Sequence, residues 1–165
     1  KRSIAQHQDS NLEEKVVQVS RVSKKTKGGD NFSFSVVMAV GDRQGQVGVA
    51  KGKAPGVVPA IRKGVKKAKK RMVKIPIDGT TIPFEFQVKQ GAAQLLLKPA
   101  PKGTGIIAGG PVRAVVEAAG IQDVSCKILG TDNQASNAYA TFEALKKMAK
   151  IVKIKNIKLR SAEDV

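Results

Sequence analysis

Several kinds of residue are scarce in this 165-residue chain: it has one cysteine, one histidine, one tyrosine and no tryptophan. A lone Cys126 cannot close an internal disulfide, which excludes a disulfide-stapled secreted scaffold and favours a reducing compartment. With His7 as the other soft ligand, there is almost no material for a metal site. No apolar run approaches the roughly 20 residues of a membrane span. The N-terminus lacks the apolar core and small-residue cleavage site of a secretory signal. Acids are scarce as well, 13 Asp and Glu against 30 Lys and Arg, for a formal net charge of +17. Those acids are scattered, and no pair is held at a readable spacing on one element, so acid–base catalysis has little support. Yet 41 % of the residues are hydrophobic, enough for a globular core, which excludes a disordered basic tail as a description of the whole. The length suits one domain or two very small ones, and the cation excess predicts a polyanionic partner, nucleic acid or an acidic membrane surface.

Residues 1–11 are polar and aperiodic and read as a flexible arm that includes His7. Lys15–Ser23 is Val-rich and reads as a strand, with Val17 and Val19 on one face and Val22 out of phase, which places a bulge or strand end there. Lys24-Lys25-Thr26-Lys27-Gly28-Gly29-Asp30 reads as a basic loop, expected to be mobile until a partner orders it. Phe32, Phe34, Val36, Met38 and Val40 alternate with Ser33 and Ser35 as a strand with one packed face, and a turn at 41–45 leads to a third strand, Gln46–Lys51. Pro55, Gly56 and Pro59 open a helix to about Met72, with Val58, Ile61, Val65, Ala68 and Met72 as its apolar stripe. The first half is thus β-β-β-α. A turn within 75–81 marks a boundary. Strands at Pro83–Val88 and Gln94–Lys98, a Gly/Pro loop from Pro99 to Gly110, a helix from Pro111 to Gly120, a strand Asp123–Leu129 and a helix Gln134–Ala149 then make β-β-α-β-α. The tail from 150 interleaves Ile with Lys, and Ser161-Ala162-Glu163-Asp164 resembles a helix N-cap. With Lys1 where a methionine is expected, residues are expected to be missing at both ends.

Gly103-Thr104-Gly105-Ile106-Ile107-Ala108 matches a dinucleotide-binding fingerprint, with Asp123 about 20 residues on. The context argues against it. Pro99 and Pro101 separate the strand from the first glycine, the helix waits for Gly109-Gly110, and Asp123 opens the next strand instead of closing it. No Lys-Ser or Lys-Thr pair follows, so this is not a P-loop either. Two readings stay open: backbone N–H groups free to attract phosphate oxygens, or glycines that merely permit a tight loop. Cys126 shares a strand face with Val124 and Ile128 and reads as core.

The helix carrying Arg62, Lys63, Lys66, Lys67, Lys69, Lys70 and Arg71 has no interleaved Glu, and like charges three and four apart repel, so a merely solvated face is a poor account of it. Its stripe lacks the Trp, Phe or Leu anchors of a membrane-surface helix. Binding of a nucleic-acid backbone fits best. Phe32, Phe34, Phe84 and Phe86 occupy alternating strand positions and are expected in the core, so stacking on bases is not the expected mode; folded or duplex RNA, held through phosphates and 2′-hydroxyls, is.

The segments Arg21-Val22-Ser23-Lys24 through Lys27-Gly28-Gly29, Phe32-Ser33-Phe34, Val40-Gly41-Asp42 with Gly45-Gln46-Val47-Gly48, and Gly103 through Val115 resemble, in order and separation, the two signatures of the ribosomal small-subunit protein five family, in its bacterial or organellar form. The resemblance implies an α+β chain with a double-stranded-RNA-binding-like domain at 12–76 (three-stranded sheet plus helix) and a C-terminal domain at 82–149 of the family's own domain 2-like fold; the flexible arm at 1–11 and the basic tail at 150–165 rest on the residues alone and lie outside the resemblance. It implies a structural, non-enzymatic role in a cytoplasmic or organellar ribosome, with no cofactor, no metal, no membrane and no small-molecule substrate. The implied partners are 16S-type rRNA, small-subunit proteins four and eight, and, on the side where mRNA enters, protein three; decoding accuracy depends on these contacts. The rRNA-binding candidates are Arg21, Lys24, Lys25, Lys27, Gly28, Gly29, Lys51, Arg62, Lys63, Lys66, Lys67, Lys70 and Arg71. Gly103, Thr104, Gly105 and Arg113 are candidates for a protein interface that tunes fidelity. Arg113 would stand in a helix's first turn against the dipole, which points to an external anion, with a bridge to Glu117 as the alternative. A phosphotransferase or dinucleotide enzyme using 103–110 is the competing reading.

Overall fold

A computed structural model describes residues 12–159; the arm, His7 and the cap-like Ser161–Asp164 lie outside the described residues. The chain opens with three antiparallel strands joined by hairpins, β1 (Glu13–Thr26), β2 (Gly29–Gly41) and β3 (Gln46–Ala54), followed by helix α1 (Val57–Lys69). A two-residue strand, β4 (Val73–Lys74), pairs with Gln46 and Val47, so the sheet expected with three strands carries a short fourth, in the order β1-β2-β3-β4. The bulge in β1 lies between Val16 and Gln18, not at Val22. That extra residue restarts the two-residue period, so Val17 is half-buried, Val19 is exposed on the opposite face, and Val22 is back in phase.

Strand β2 is buried on both faces, where one packed face was expected. Val36, Met38 and Val40 meet α1, while Val37 and Ala39 join the core of the second half. The unbroken run Val36-Val37-Met38-Ala39-Val40 is what a strand covered on both sides requires. Helix α1 is also rotated from its expected stripe: Ala60, Gly64, Val65 and Ala68 are buried, whereas Val58 is 59 % exposed. The cause is close backbone approach. A Cβ on Gly52 would stand 2.0 Å from the Ala60 carbonyl oxygen, and one on Gly48 2.4 Å from that of Ala68. Small residues therefore face small residues, and the larger apolar side chains are pushed to the flank.

The second half builds a sheet from β5 (Phe86–Gln90), β6 (Ala93–Pro99), β7 (Ile106–Ile107) and β8 (Val124–Ile128), ordered β5-β6-β8-β7, with α2 (Gly110–Ala119) and α3 (Gln134–Lys155). The short β7, parallel to β8, interrupts the stretch expected as one long loop. Helix α2 buries Val112, Val115, Val116 and Ala119 as expected and stops at Gly120, whose φ of 90° suits glycine. Helix α3 continues to Lys155, six positions past the expected end at Ala149 and into the stretch read as a tail. Cys126 is buried, and burial pushes its thiol up to about 12, so it is an unreactive core residue.

The halves share a core in which Val47 and Val49 of the first sheet join Leu95, Val115 and Leu145 of the second half. At the seam, the final carbonyls of α2 find partners outside the helix: the Arg43 N–H donates to Ala118 O at 3.2 Å and the Gly45 N–H to Ala119 O at 3.0 Å. Gly41 is required there, because a Cβ would stand 1.9 Å from the Ala118 oxygen.

Candidate nucleic-acid interface

Strand β3 ends at Ala54, opposite Phe34 of β2, so beyond that point β1 and β2 continue as a two-stranded arm. This arm replaces the expected loop. Lys24 pairs with Asn31, Lys25 with Asp30 and Thr26 with Gly29, leaving Lys27 and Gly28 as the turn. The Thr26 hydroxyl donates to the Gly29 carbonyl at 2.7 Å, and Gly29 has a φ of 121° that an L side chain rarely adopts. Arg21, Lys24, Lys25 and Lys27 are all exposed on it. Phe32 is not core: it is 47 % exposed, with the Arg21 guanidinium 4.0 Å from its ring centroid. Phe34, two residues nearer the body, packs against the α1 cluster, and Phe84 and Phe86 meet edge to face at 6.2 Å against the second-half core.

The second basic feature is an open groove of about 610 Å³ between α1 and the outer edge of β3, lined by Lys51, Lys53, Lys63, Lys66, Lys67 and Lys70. Every lining residue is a lysine, so low-dielectric walls carry cations with no carboxylate among them, which concentrates a positive potential. Three of these lie near the C-terminal end of α1, where the helix dipole favours positive charge. The edge of β3 is covered at Lys51, whose carbonyl accepts from Lys67 Nζ at 3.4 Å and whose backbone also bonds the Tyr139 hydroxyl; burial raises the tyrosine above its ordinary value. Lys53 was missed by the sequence reading. The signal was present, since Lys51 and Lys53 are two apart on one strand and therefore share a face. Arg62 and Arg71 are exposed but outside the groove; Arg71 lines a second cavity of about 480 Å³ with Tyr139 and Phe142. Lys69 lies 3.9 Å from Glu14.

The glycine-rich loop is arranged differently. Asp123, only 3 % exposed, accepts from the Gly103 N–H at 3.0 Å and the Gly105 N–H at 2.8 Å through one oxygen. A hydrogen bond from the Thr80 side chain, reinforced by these backbone donors, holds its carboxyl below the ordinary aspartate value. Gly103 and Gly105 have φ of 90° and 75°. The loop is thus a tight turn closed by an internal carboxylate, and the reading of these two N–H groups as free phosphate donors is corrected. Thr104 is exposed, with its hydroxyl bonded to the Pro101 carbonyl at 2.8 Å. Arg113 reaches Glu117 one turn on, Nε to Oε1 at 2.8 Å, so the bridge that stood as the alternative is the one observed. Glu117 is also bonded by Lys15, and Glu13 by Arg43, Nη2 to Oε1 at 2.8 Å. Glu117 is held below the ordinary glutamate value by Arg113 and Lys15, and Glu13 chiefly by Arg43. This network ties β1 and the β2–β3 turn to α2.

The family model for the N-terminal domain of ribosomal protein S5 matches residues 12–76, and that for its C-terminal domain matches residues 88–158. Two curated relatives are each named small ribosomal subunit protein uS5. The one from Chloroflexus aurantiacus is 49 % identical over 140 residues, 85 % of this chain and 79 % of its own. The one from Thermotoga neapolitana is 49 % identical over 149 residues, 88 % of this chain and 84 % of its own.

Proposed function

This chain belongs to the ribosomal protein S5 family, and from that premise we propose that it is a structural component of the small subunit of a cytoplasmic ribosome that holds 16S-type rRNA through its lysine groove and basic arm. The observation that carries the reading is the groove itself: six lysines from two elements converge where no carboxylate lines the surface. Phosphates spaced along an RNA backbone would neutralise them and release counterions, a gain that needs no base sequence. The arm, with Lys24, Lys25 and Lys27 around Gly28 and Gly29, extends the same chemistry beyond the end of β3, and in this proposal its tip meets the head of the subunit. In this proposal Lys51 acts within the groove, and Arg21, Arg62 and Arg71 contribute further phosphate contacts. Residues 12–76 form the RNA-binding unit, and the stretch from 82 through the end of α3 at Lys155 forms the α/β unit, so the part of the basic tail up to Lys155 belongs to that helix.

The same reading gives the glycine-rich loop and the first turn of α2 to proteins. Gly103, Thr104, Gly105 and Arg113 face protein four across a contact that must loosen during decoding. Protein eight is a second neighbour, and protein three shares the side where mRNA enters. A dinucleotide or phosphotransferase reading is not supported, because the N–H groups of Gly103 and Gly105 that it needs are spent on Asp123.

The test is binding of the full chain to bacterial small-subunit rRNA across a salt series. Six phosphate contacts predict a loss of about 10³-fold between roughly 50 and 200 mM salt, and retention on small subunits through a high-salt wash. A flat salt response, or micromolar nucleotide binding without rRNA binding, would overturn the proposal.

A further inference from the structure

We propose that Phe32 and Arg21 form a stacking platform for one unpaired nucleobase of the bound RNA. The inference rests on the rRNA-binding reading above and adds a base contact to what is otherwise a phosphate-binding surface.

The geometry follows from where the third strand stops. Phe32, Phe34, Val36, Met38 and Val40 share one face of β2 by the period of two, and α1 covers that face from Phe34 inward. Strand β3 ends opposite Phe34, so Phe32 lies on the arm, past the reach of the helix. Its cross-strand partner is Ser23, too small to cover the ring. Arg21, two residues nearer the body on β1 and opposite Phe34, stacks diagonally over it, with the guanidinium carbon 4.0 Å from the centroid. Nearly half of Phe32 nevertheless remains open.

The open half of this ring gains nothing for the fold, since burial stabilisation is realised only for the area removed from water. A planar guanidinium on a phenyl ring presents a flat, cationic surface, and such surfaces stack bases of any sequence. Charge selects the occupant. Lys25 lies on the same face across from Asp30, Lys24 is on the opposite face, and Lys27 is at the tip. An apolar protein surface would have to be brought against these cations, whereas an RNA strand brings phosphates to them and a base to the ring. A duplex keeps its bases stacked internally, so the base must be unpaired.

The chain has no tryptophan, which makes Phe32→Trp a clean reporter. The full-length variant would be titrated with bacterial small-subunit rRNA, with a fully paired RNA duplex, and with inorganic polyphosphate. Stacking predicts that rRNA quenches the indole fluorescence, while duplex and polyphosphate bind through the lysines without quenching. Phe32→Ala should weaken rRNA binding by about 5- to 150-fold, the equivalent of the roughly 1–3 kcal/mol carried by a stacked base, and leave the salt slope unchanged because no charge is lost. Tight rRNA binding without quenching would overturn the platform and leave the phosphate reading standing, as would equal quenching by polyphosphate. Quenching by small-subunit proteins freed of RNA would assign the face to a protein and overturn it too. If the unaltered chain bound none of the three polyanions, the phosphate reading would fall and the platform with it.

Discussion

The lysine groove and the glycine-rich loop are both places where backbone or side-chain donors gather, and they are settled in opposite ways. In the groove, Lys51, Lys53, Lys63, Lys66, Lys67 and Lys70 face solvent with no acid among them. In the loop, Gly103 and Gly105 turn their N–H groups inward to Asp123, and nearby Arg113 is held by Glu117. Donors that a fold satisfies internally are part of its own structure; donors that it leaves unneutralised need a partner. That difference separates an anion-binding surface from a look-alike, although both regions carry motifs associated with phosphate.

The contrast can be broken at four points. The largest effect is expected from Gly52→Ala, which puts a methyl group 2.0 Å from the Ala60 carbonyl oxygen and must lift α1 from β3. We expect a loss of about 3 kcal/mol in urea unfolding, together with dispersal of the groove. Next, Lys66→Ala with Lys67→Ala should leave folding intact and lower the log–log salt slope of rRNA binding by about 2, reducing the loss between about 50 and 200 mM salt from about 10³-fold toward about 10²-fold. An unchanged slope would remove this helix from the RNA interface.

The third point is pH. The Asp123 carboxyl is depressed in the folded chain, so its contribution is fully present above the unfolded aspartate value, about 3.9, and disappears as pH falls through the lower folded value. Glu13 and Glu117 act with the same sign. Asp123→Asn should therefore lower the melting temperature at neutral pH and lose part of the acid-dependent fall, whereas the lysine variants keep it whole. Identical melting curves from pH 7 to the acid limit would show that the carboxylate does not hold the loop. The smallest effect belongs to Arg113→Leu, an exposed i, i+4 pair worth about 0.3–0.5 kcal/mol. Its consequence should appear in translation, as raised misreading with normal incorporation of the protein into ribosomes. Unchanged misreading would separate this arginine from fidelity.

Charge and local pattern carried much of the reading. The cation excess, the acid-free helix, the buried stripe of α2 from Val112 to Ala119 and its stop at Gly120 follow from short-range rules that a linear chain displays directly. Lys53 could have been read from its spacing to Lys51. Other features depend on neighbours that are remote in sequence. Val36 to Val40 is continuous and apolar, but only the packing of α1 on one face and of the second half, with α2, on the other makes both faces of β2 interior.

The amino-acid sequence by itself determined that this protein is cationic and α+β, with strands opening each half and a family signature in both, because composition and periodicity are properties of neighbouring residues. Tertiary structure decided what the motifs do. It rotated α1 onto Ala60, Gly64 and Ala68, since a helix seated on glycines must present its smallest side chains. It converted Lys24–Asp30 from a loop into a paired arm and left Phe32 beyond the last residue of β3. It also brought Asp123 against Gly103 and Gly105, spending the donors of a phosphate-like motif on a carboxylate that no local rule assigns to them. Each of these outcomes turns on which remote group the chain path brings to an unsatisfied donor or an uncovered face, and local spacing does not specify that group.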